Sequence, residues 1–224
     1  MRRILTASVL LTLTIFLRSV AAEETARRTG QFTVSVYNDA GVPPAVLESA
    51  EEEAGSIFAR SSFEVVWLDC AQATADDALA CNRIDGTGHV ALRVISHAAN
   101  SVSSAACGVS FLSRSGDGKY ADVFWDRTED LHAASSLDLG SILGSVMAHE
   151  MGHLLLGSNA HAVSGIMRAH WQGEELRRIA MGTLLFTPQQ ARHMRGKAQL
   201  LDSGGVGAFG RTTLVRGPLP RPGV

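Results

Sequence analysis

Two histidines four residues apart frame the segment His149-Glu150-Met151-Gly152-His153, inside an apolar run from Leu139 to Leu156. On an α-helix, side chains four apart stack on one face, so both imidazoles can offer a nitrogen to the same metal ion. Two of the four positions around a tetrahedral zinc would then be filled. Glu150 is turned about 100° around the helix from His149, near enough to reach a water on that ion without ligating it. The chain continues Leu154-Leu155-Leu156-Gly157-Ser158-Asn159-Ala160-His161. Gly157 is able to end the helix at positive φ, and the turn it makes aims His161 back as a third ligand. His170, and Glu174 or Glu175 on a later helix, stay open as alternatives for that third position. Ser164-Gly165-Ile166-Met167 then reads as a tight turn carrying a methionine.

The H-E-x-x-H pattern is that of zinc-dependent hydrolases. A third histidine delivered after a glycine, followed by a methionine-bearing turn, resembles the metzincin clan of zinc metallopeptidases. Metzincins place the glycine three residues after the second histidine and the third histidine three further on; here both gaps are four, to Gly157 and to His161. The whole string HEMGHLLLGSNAHAVSGIM looks like a group of exported bacterial peptidases that share this longer spacing. The resemblance implies one Zn2+ per chain held by His149, His153 and His161, with Glu150 as the catalytic base and Met167 packed beneath the histidines. It also implies an α+β fold: a twisted mixed sheet of about four to five strands packed on a long active-site helix, then the Met-turn and a C-terminal helix.

Three imidazoles leave zinc one open position, and the ion lowers the pKa of a water there toward roughly 7. Glu150 would take the proton as that water attacks an amide carbonyl, then pass it to the leaving amine. The expected activity is that of an exported zinc-dependent endopeptidase acting on a peptide or protein. Two other functions remain: a zinc-containing but non-catalytic binding module, and a zinc hydrolase of a non-peptide amide. A module selected only to hold metal has no need of a carboxylate at position 150, which favours the enzyme. Trp171 and Trp125 are candidates for lining a cleft, while His89, His97, His132 and His193 read as surface or hydrogen-bonded histidines.

The elements that must position these residues follow from periodicity. Phe32 to Val36 alternates as a strand, and Asn38-Asp39-Ala40-Gly41 closes it. Pro43 and Pro44 open a helix with Val46, Leu47, Ala50, Ala54, Ile57 and Phe58 at helical spacing, its run Glu51 to Glu53 reading as a solvated face. Further strands are predicted at Phe63–Leu68 and Val90–Ile95, and a hairpin from Val109–Leu112 and Tyr120–Trp125. Ser135 or Ser136 is the expected N-cap of the histidine-bearing helix. A short helix over Glu174–Ile179 follows, and Thr187-Pro188 starts a last one reaching Leu200.

A chain of 224 residues suits one well-buried domain, here residues 30–200. Arg2 and Arg3, an apolar run from Ile4 to Leu17, and Val20-Ala21-Ala22 form the pattern of a secretory signal over residues 1–22, too short in its apolar part to span a bilayer comfortably, with an uncleaved membrane anchor as the minor reading. Its loss removes Arg2, Arg3 and Arg18 and no acid, leaving 17 basic against 22 acidic residues and a net charge of −5. That balance offers no footprint for nucleic acid, and no membrane association is expected after cleavage. The expected product is a monomer, secreted or periplasmic. Export permits disulfides, and Cys70 with Cys81 is the expected pair, stapling a polar surface loop and leaving Cys107 free and buried, with the two pairings through Cys107 left open by the sequence. The Gly-, Pro- and Arg-rich stretch 203–224 reads as a disordered tail.

Overall fold

Strand β1 (Gly30–Asn38) points Phe32, Val34 and Val36 into the core, the period-2 alternation of a half-buried strand. The computed structural model describes residues 30–70, 79–81, 84, 88–99, 102–103 and 105–205; the expected signal segment, 1–22, and the expected tail beyond 205 lie outside them. Helix α1 (Pro44–Ala59) begins with proline in its first turn, where the missing N–H has no helical partner to lose. It returns the chain to β2 (Phe63–Asp69), which pairs parallel with β1 from Gly30 opposite Phe63 to Val36 opposite Asp69. On the other side of β1 lies β3 (His89–Ile95), also parallel, and β5 (Tyr120–Phe124) runs parallel to β3. β4 (Gly108–Phe111) is antiparallel to β5, the expected hairpin. The mixed sheet of five strands has the order β2-β1-β3-β5-β4, which leaves β2 and β4 as its edges.

One sequence expectation fails just after β5. The strand stops at Phe124, and Trp125–Ser135 forms a helix, α2, that the sequence reading did not assign. Its only buried residue is Thr128, so it lacks the apolar stripe by which helices announce themselves. Ser135 is therefore the last residue of α2 and Ser136 its left-handed C-cap, with φ 58°. The N-cap of the next helix is Asp138, whose carboxylate accepts a hydrogen bond from Ser141 N at 2.9 Å.

That next helix, α3 (Leu139–Leu156), is buried on every side from Ile142 to Leu154. It packs across α1 on small residues: a Cβ on Gly144 would lie 2.5 Å from Ala50 O, so the two backbones touch where glycine meets alanine. β4, β5, α2, α4 (Gly173–Ala180) and α5 (Pro188–Gly205) complete its surroundings. Thr187 and Gln190 cap α5 reciprocally, Gln190 N donating to Thr187 Oγ1 and Thr187 N to Gln190 Oε1. Because α5 runs to Gly205, the first residues of the expected tail belong to it.

The acidic run of α1 is not simply solvated. Glu51 and Glu53 are half-buried. Burial first, then the nearby Asp69 and Glu48, pushes the Glu51 carboxyl up to about 7. Cys70 and Cys81 are disulfide-bonded, with Cα atoms 5.9 Å apart. Cys107 is free but half-buried rather than sealed in the core. No helix among the described residues is long and apolar enough to cross a membrane.

Candidate metal centre

His149 and His153 lie one turn apart on α3, 8% and 4% exposed, with ring centroids 4.8 Å apart. Each is oriented by a backbone carbonyl. His149 Nδ1 is 2.7 Å from Ile166 O, in the turn that carries Met167. His153 Nδ1 is 2.7 Å from Ser158 O, just beyond the end of its own helix. A carbonyl only accepts, so both rings must carry their proton on Nδ1, and in the neutral rings both Nε2 atoms are bare lone pairs. Those two Nε2 atoms are 3.1 Å apart. Without a proton between them this is no hydrogen bond but two buried acceptors facing each other, an arrangement a shared cation relieves. Burial holds both rings neutral: it lowers His149 to about 3, against the Ile166 bond and with help from His153 and His161, and it lowers His153 likewise.

The third ring arrives by way of Gly157. This residue ends α3 in the left-handed region, φ 67°, and its N–H closes on His153 O and Leu154 O. It is also the site of a close approach, since a Cβ there would lie 2.8 Å from Gly116 O. The turn carries Ser158 O to His153 and His161 to the pair of rings, stacked at 5.4 Å on His149 and edge-on at 5.0 Å to His153. One nitrogen from each of His149, His153 and His161 fits within 4.8 Å of the others. Three neutral imidazoles with converging lone pairs are a donor set suited to zinc. The helix runs to Leu156, so Gly157 falls four residues after His153 and His161 four residues after Gly157.

The alternatives for a third ligand, His170, Glu174 and Glu175, fall outside this group of three nitrogens. Glu174 is exposed and paired with Arg177 and Arg178. Glu175 is buried, caps α4 through Gln172 N and pairs with Arg168. Its burial pushes the carboxyl up, but the Gln172 amide and the Arg168 guanidinium outweigh this and hold it below its ordinary range. His170 lines the cleft. Of the other histidines, His89 bonds Ser35, His97 bonds Asp126, and His132 bonds Leu137 O.

Met167 is fully buried in a turn closed by Arg168 N to Gly165 O at 3.1 Å. A Cβ on Gly152 would lie 2.7 Å from Met167 Sδ and 2.6 Å from the Phe186 ring. The glycine between the two helix histidines is thus the space that this methionine and Phe186 occupy.

Glu150 is 5% exposed and lies on the floor of a cleft of about 540 Å3. Its Oε2 is 2.7 Å, and its own backbone oxygen 2.8 Å, from Ser110 Oγ on β4; a hydroxyl has one proton and can donate to only one of them at a time. Burial pushes the Glu150 carboxyl up to about 7, with the Ser110 bond pulling the other way. A Cβ on Gly108 would lie 2.6 Å from Glu150 Cγ and 2.7 Å from Oε1, so β4 presses its backbone against the carboxylate. The sequence reading missed Ser110 and Gly108, which come from a strand forty residues upstream and carry no local signal. One wall of the cleft is β4 with Cys107, whose thiol burial pushes up to about 11 with Glu150 adding to the effect. The other wall is the segment Arg168–Trp171. Trp171 Nε1 donates to Ile166 O at 3.3 Å and its ring meets His149 edge-on at 5.7 Å. Trp125 takes no part in the cleft lining and packs half-buried against the core.

No protein-family model matches the chain, and no curated protein matches it. Among solved structures, a zinc-dependent peptidase from Methanocorpusculum labreanum (strain Z) is similar, with 14% sequence identity, a TM-score of 0.49, and coverage of 72% of this chain and 99% of that one.

Proposed function

We propose that this chain is an exported zinc-dependent peptidase, metzincin-like, with His149, His153 and His161 as metal ligands and Glu150 as general base. The observation that carries the reading is the pair of Nε2 atoms 3.1 Å apart whose rings have both committed their protons to carbonyls. When bound, zinc supplies Lewis acidity, lowering the pKa of a water toward about 7 and polarising a carbonyl. The remaining work belongs to the chain's own residues. Glu150 takes a proton from the attacking water and returns it to the departing amine. Ser110 holds Oε2, and Gly108, having no side chain, leaves clear the space beside Oε1.

The edge position of β4 favours a peptide over other amides. Its outer N–H and C=O groups face away from β5 along the cleft wall, where an extended chain can add main-chain hydrogen bonds. Export is supported by the N-terminal pattern of Arg2, Arg3 and the apolar run, and by the Cys70–Cys81 disulfide.

The test combines metal analysis with cleavage of a mixed peptide library by the mature chain. About one zinc per chain and chelator-sensitive cleavage are expected, and Glu150→Gln should keep the zinc while losing about 10²- to 10⁴-fold in rate. Cleavage by Glu150→Gln at the wild-type rate rejects the mechanism. Zinc binding without any cleavage favours the non-catalytic module.

A further inference from the structure

The peptidase mechanism uses Glu150 and the three histidines and leaves one permanently charged group of the cleft without a role. Among the described residues lining the cleft, that group is Arg168. Its backbone is fixed on both sides, by the hydrogen bond to Gly165 O and by a bridge to Ala162 in the loop that carries His161. Its side chain is fixed as well, Nη1 donating to Glu175 Oε1 at 2.7 Å. The two partners are unequal in their access to solvent: the Glu175 side chain is 8% exposed, the Arg168 side chain 44%. Glu175 in turn is locked by the capping box of α4.

A guanidinium carries five N–H donors in a planar fork, and the pair with Glu175 uses Nη1. Anchoring from behind removes most of the rotamer freedom that a free surface arginine would have to give up on binding. The mature chain is acidic overall, so a cation fixed at the mouth of the cleft does not follow from its general surface charge. A structural ion pair with Glu175 needs one donor at this place, and among the described residues the remaining N–H groups of the fork have no hydrogen-bond partner.

We propose that Arg168 is a specificity-determining residue that makes the cleft select peptides carrying a carboxylate on the segment seated there. This deepens the peptidase reading and rests on it. The carboxylate has two sources, an aspartate or glutamate side chain and a free chain terminus, and both present the same planar pair of oxygens to the fork.

The experiment uses zinc-loaded mature protein and matched peptides with Glu or Gln at each position in turn, every one made with a free and an amidated C-terminus. Cleavage is measured as kcat/KM with the wild type, and binding as Kd with the zinc-loaded Glu150→Gln protein, so that recognition is read without turnover. An acidic peptide should bind about tenfold tighter than its amide counterpart, as one charge-assisted contact at a half-exposed site provides. Arg168→Gln should abolish that preference, read as the ratio of the Kd of each Gln peptide to that of its Glu counterpart on the same variant. Arg168→Lys keeps the charge but not the fork, and should retain part of the preference. Preference that survives amidation identifies a side-chain carboxylate; preference lost on amidation identifies the terminus. Equal binding of acidic and neutral peptides by the unsubstituted site, or an acid preference undiminished in Arg168→Gln, overturns the proposal. Charge-selective binding without cleavage by the wild type would keep Arg168 and sink the peptidase reading. Cleavage without charge selection would do the reverse.

Discussion

The two histidines on α3 and the one after it are built differently. His149 and His153 are buried, and each has its distal nitrogen held by a carbonyl at 2.7 Å. His161 stands in an exposed loop beside Val163, which is 94% exposed, and among the described residues its ring has no hydrogen bond. The helix therefore presents two candidate ligands in fixed tautomer and direction, while the loop presents a third whose backbone is placed by the turn at Gly157 and the bridge of Ala162 to Arg168 but whose ring is oriented by no hydrogen bond among the described residues. The difference teaches where the order of the site resides: the metal would complete the loop more than it completes the helix.

This contrast is most directly broken by removing ligands one at a time. His149→Ala or His153→Ala should each weaken zinc binding on the order of 10²- to 10³-fold, a quarter of the free energy of a structural site. His161→Ala should cost about tenfold less, because its loss also spares the ordering of the loop. Competition titration with a zinc chelator measures all three, and equal losses would show that loop and helix contribute alike.

A smaller effect sharpens the role of the turn. Gly157→Ala forces a side chain into the left-handed region and against Gly116 O, and should lower stability by about 1–3 kcal/mol and weaken zinc binding with it. Gly182 has φ 59° but nothing within 4 Å of its missing Cβ, so Gly182→Ala should cost about 1 kcal/mol and leave zinc affinity alone. Thermal melts and zinc titrations of both variants separate backbone strain from displacement of His161. Loss of zinc affinity in Gly182→Ala would undo the distinction.

The smallest effect lies away from the site and serves as its control. Glu51 keeps its proton to about pH 7 in the folded chain, against an ordinary value of 4.5. Between those values the folded state binds more protons than the unfolded state, so its contribution to stability is present below 4.5 and falls away as pH rises through 7. Glu51→Gln should therefore raise the melting temperature by a few degrees near pH 8 and hardly at all near pH 4, an effect of about 1 kcal/mol once the solvent reaching this half-exposed group is allowed for. The difference between the two melting curves across pH isolates Glu51 from the histidines, and a constant difference would contradict the assignment.

What the sequence disclosed was local. His149, Glu150 and His153 are separated by whole or partial helical turns, and Gly157 is a helix terminator by its chemistry, so their juxtaposition follows from spacing. The strands were legible where alternation was clean, as in Phe32, Val34 and Val36. Helix α2 was not, because a helix that buries only Thr128 has no apolar stripe to read. The capping of α3 was placed two or three residues early for the same reason: Ser135 and Ser136 look like caps until the preceding residues are known to be helical already. Ser110, Gly108 and Arg168 belong to the site only through tertiary packing, and a serine, a glycine and an arginine have many commoner uses. Glu51 looked solvated because a run of glutamates usually is; the neighbourhood of Asp69 on β2 is a contact between elements that α1 alone does not reveal.

One carbonyl, Ile166 O, receives both the N–H of His149 and the N–H of Trp171. Its two lone pairs are shared between a ring that faces the metal position and a ring that forms the cleft wall. Any replacement of Trp171 that reshapes the wall also changes how strongly that oxygen draws on the His149 proton, and so the basicity of the opposite nitrogen. Under the proposed function, substrate range and metal retention are therefore coupled traits at this position: a mutation that widens the one must be accommodated by the other.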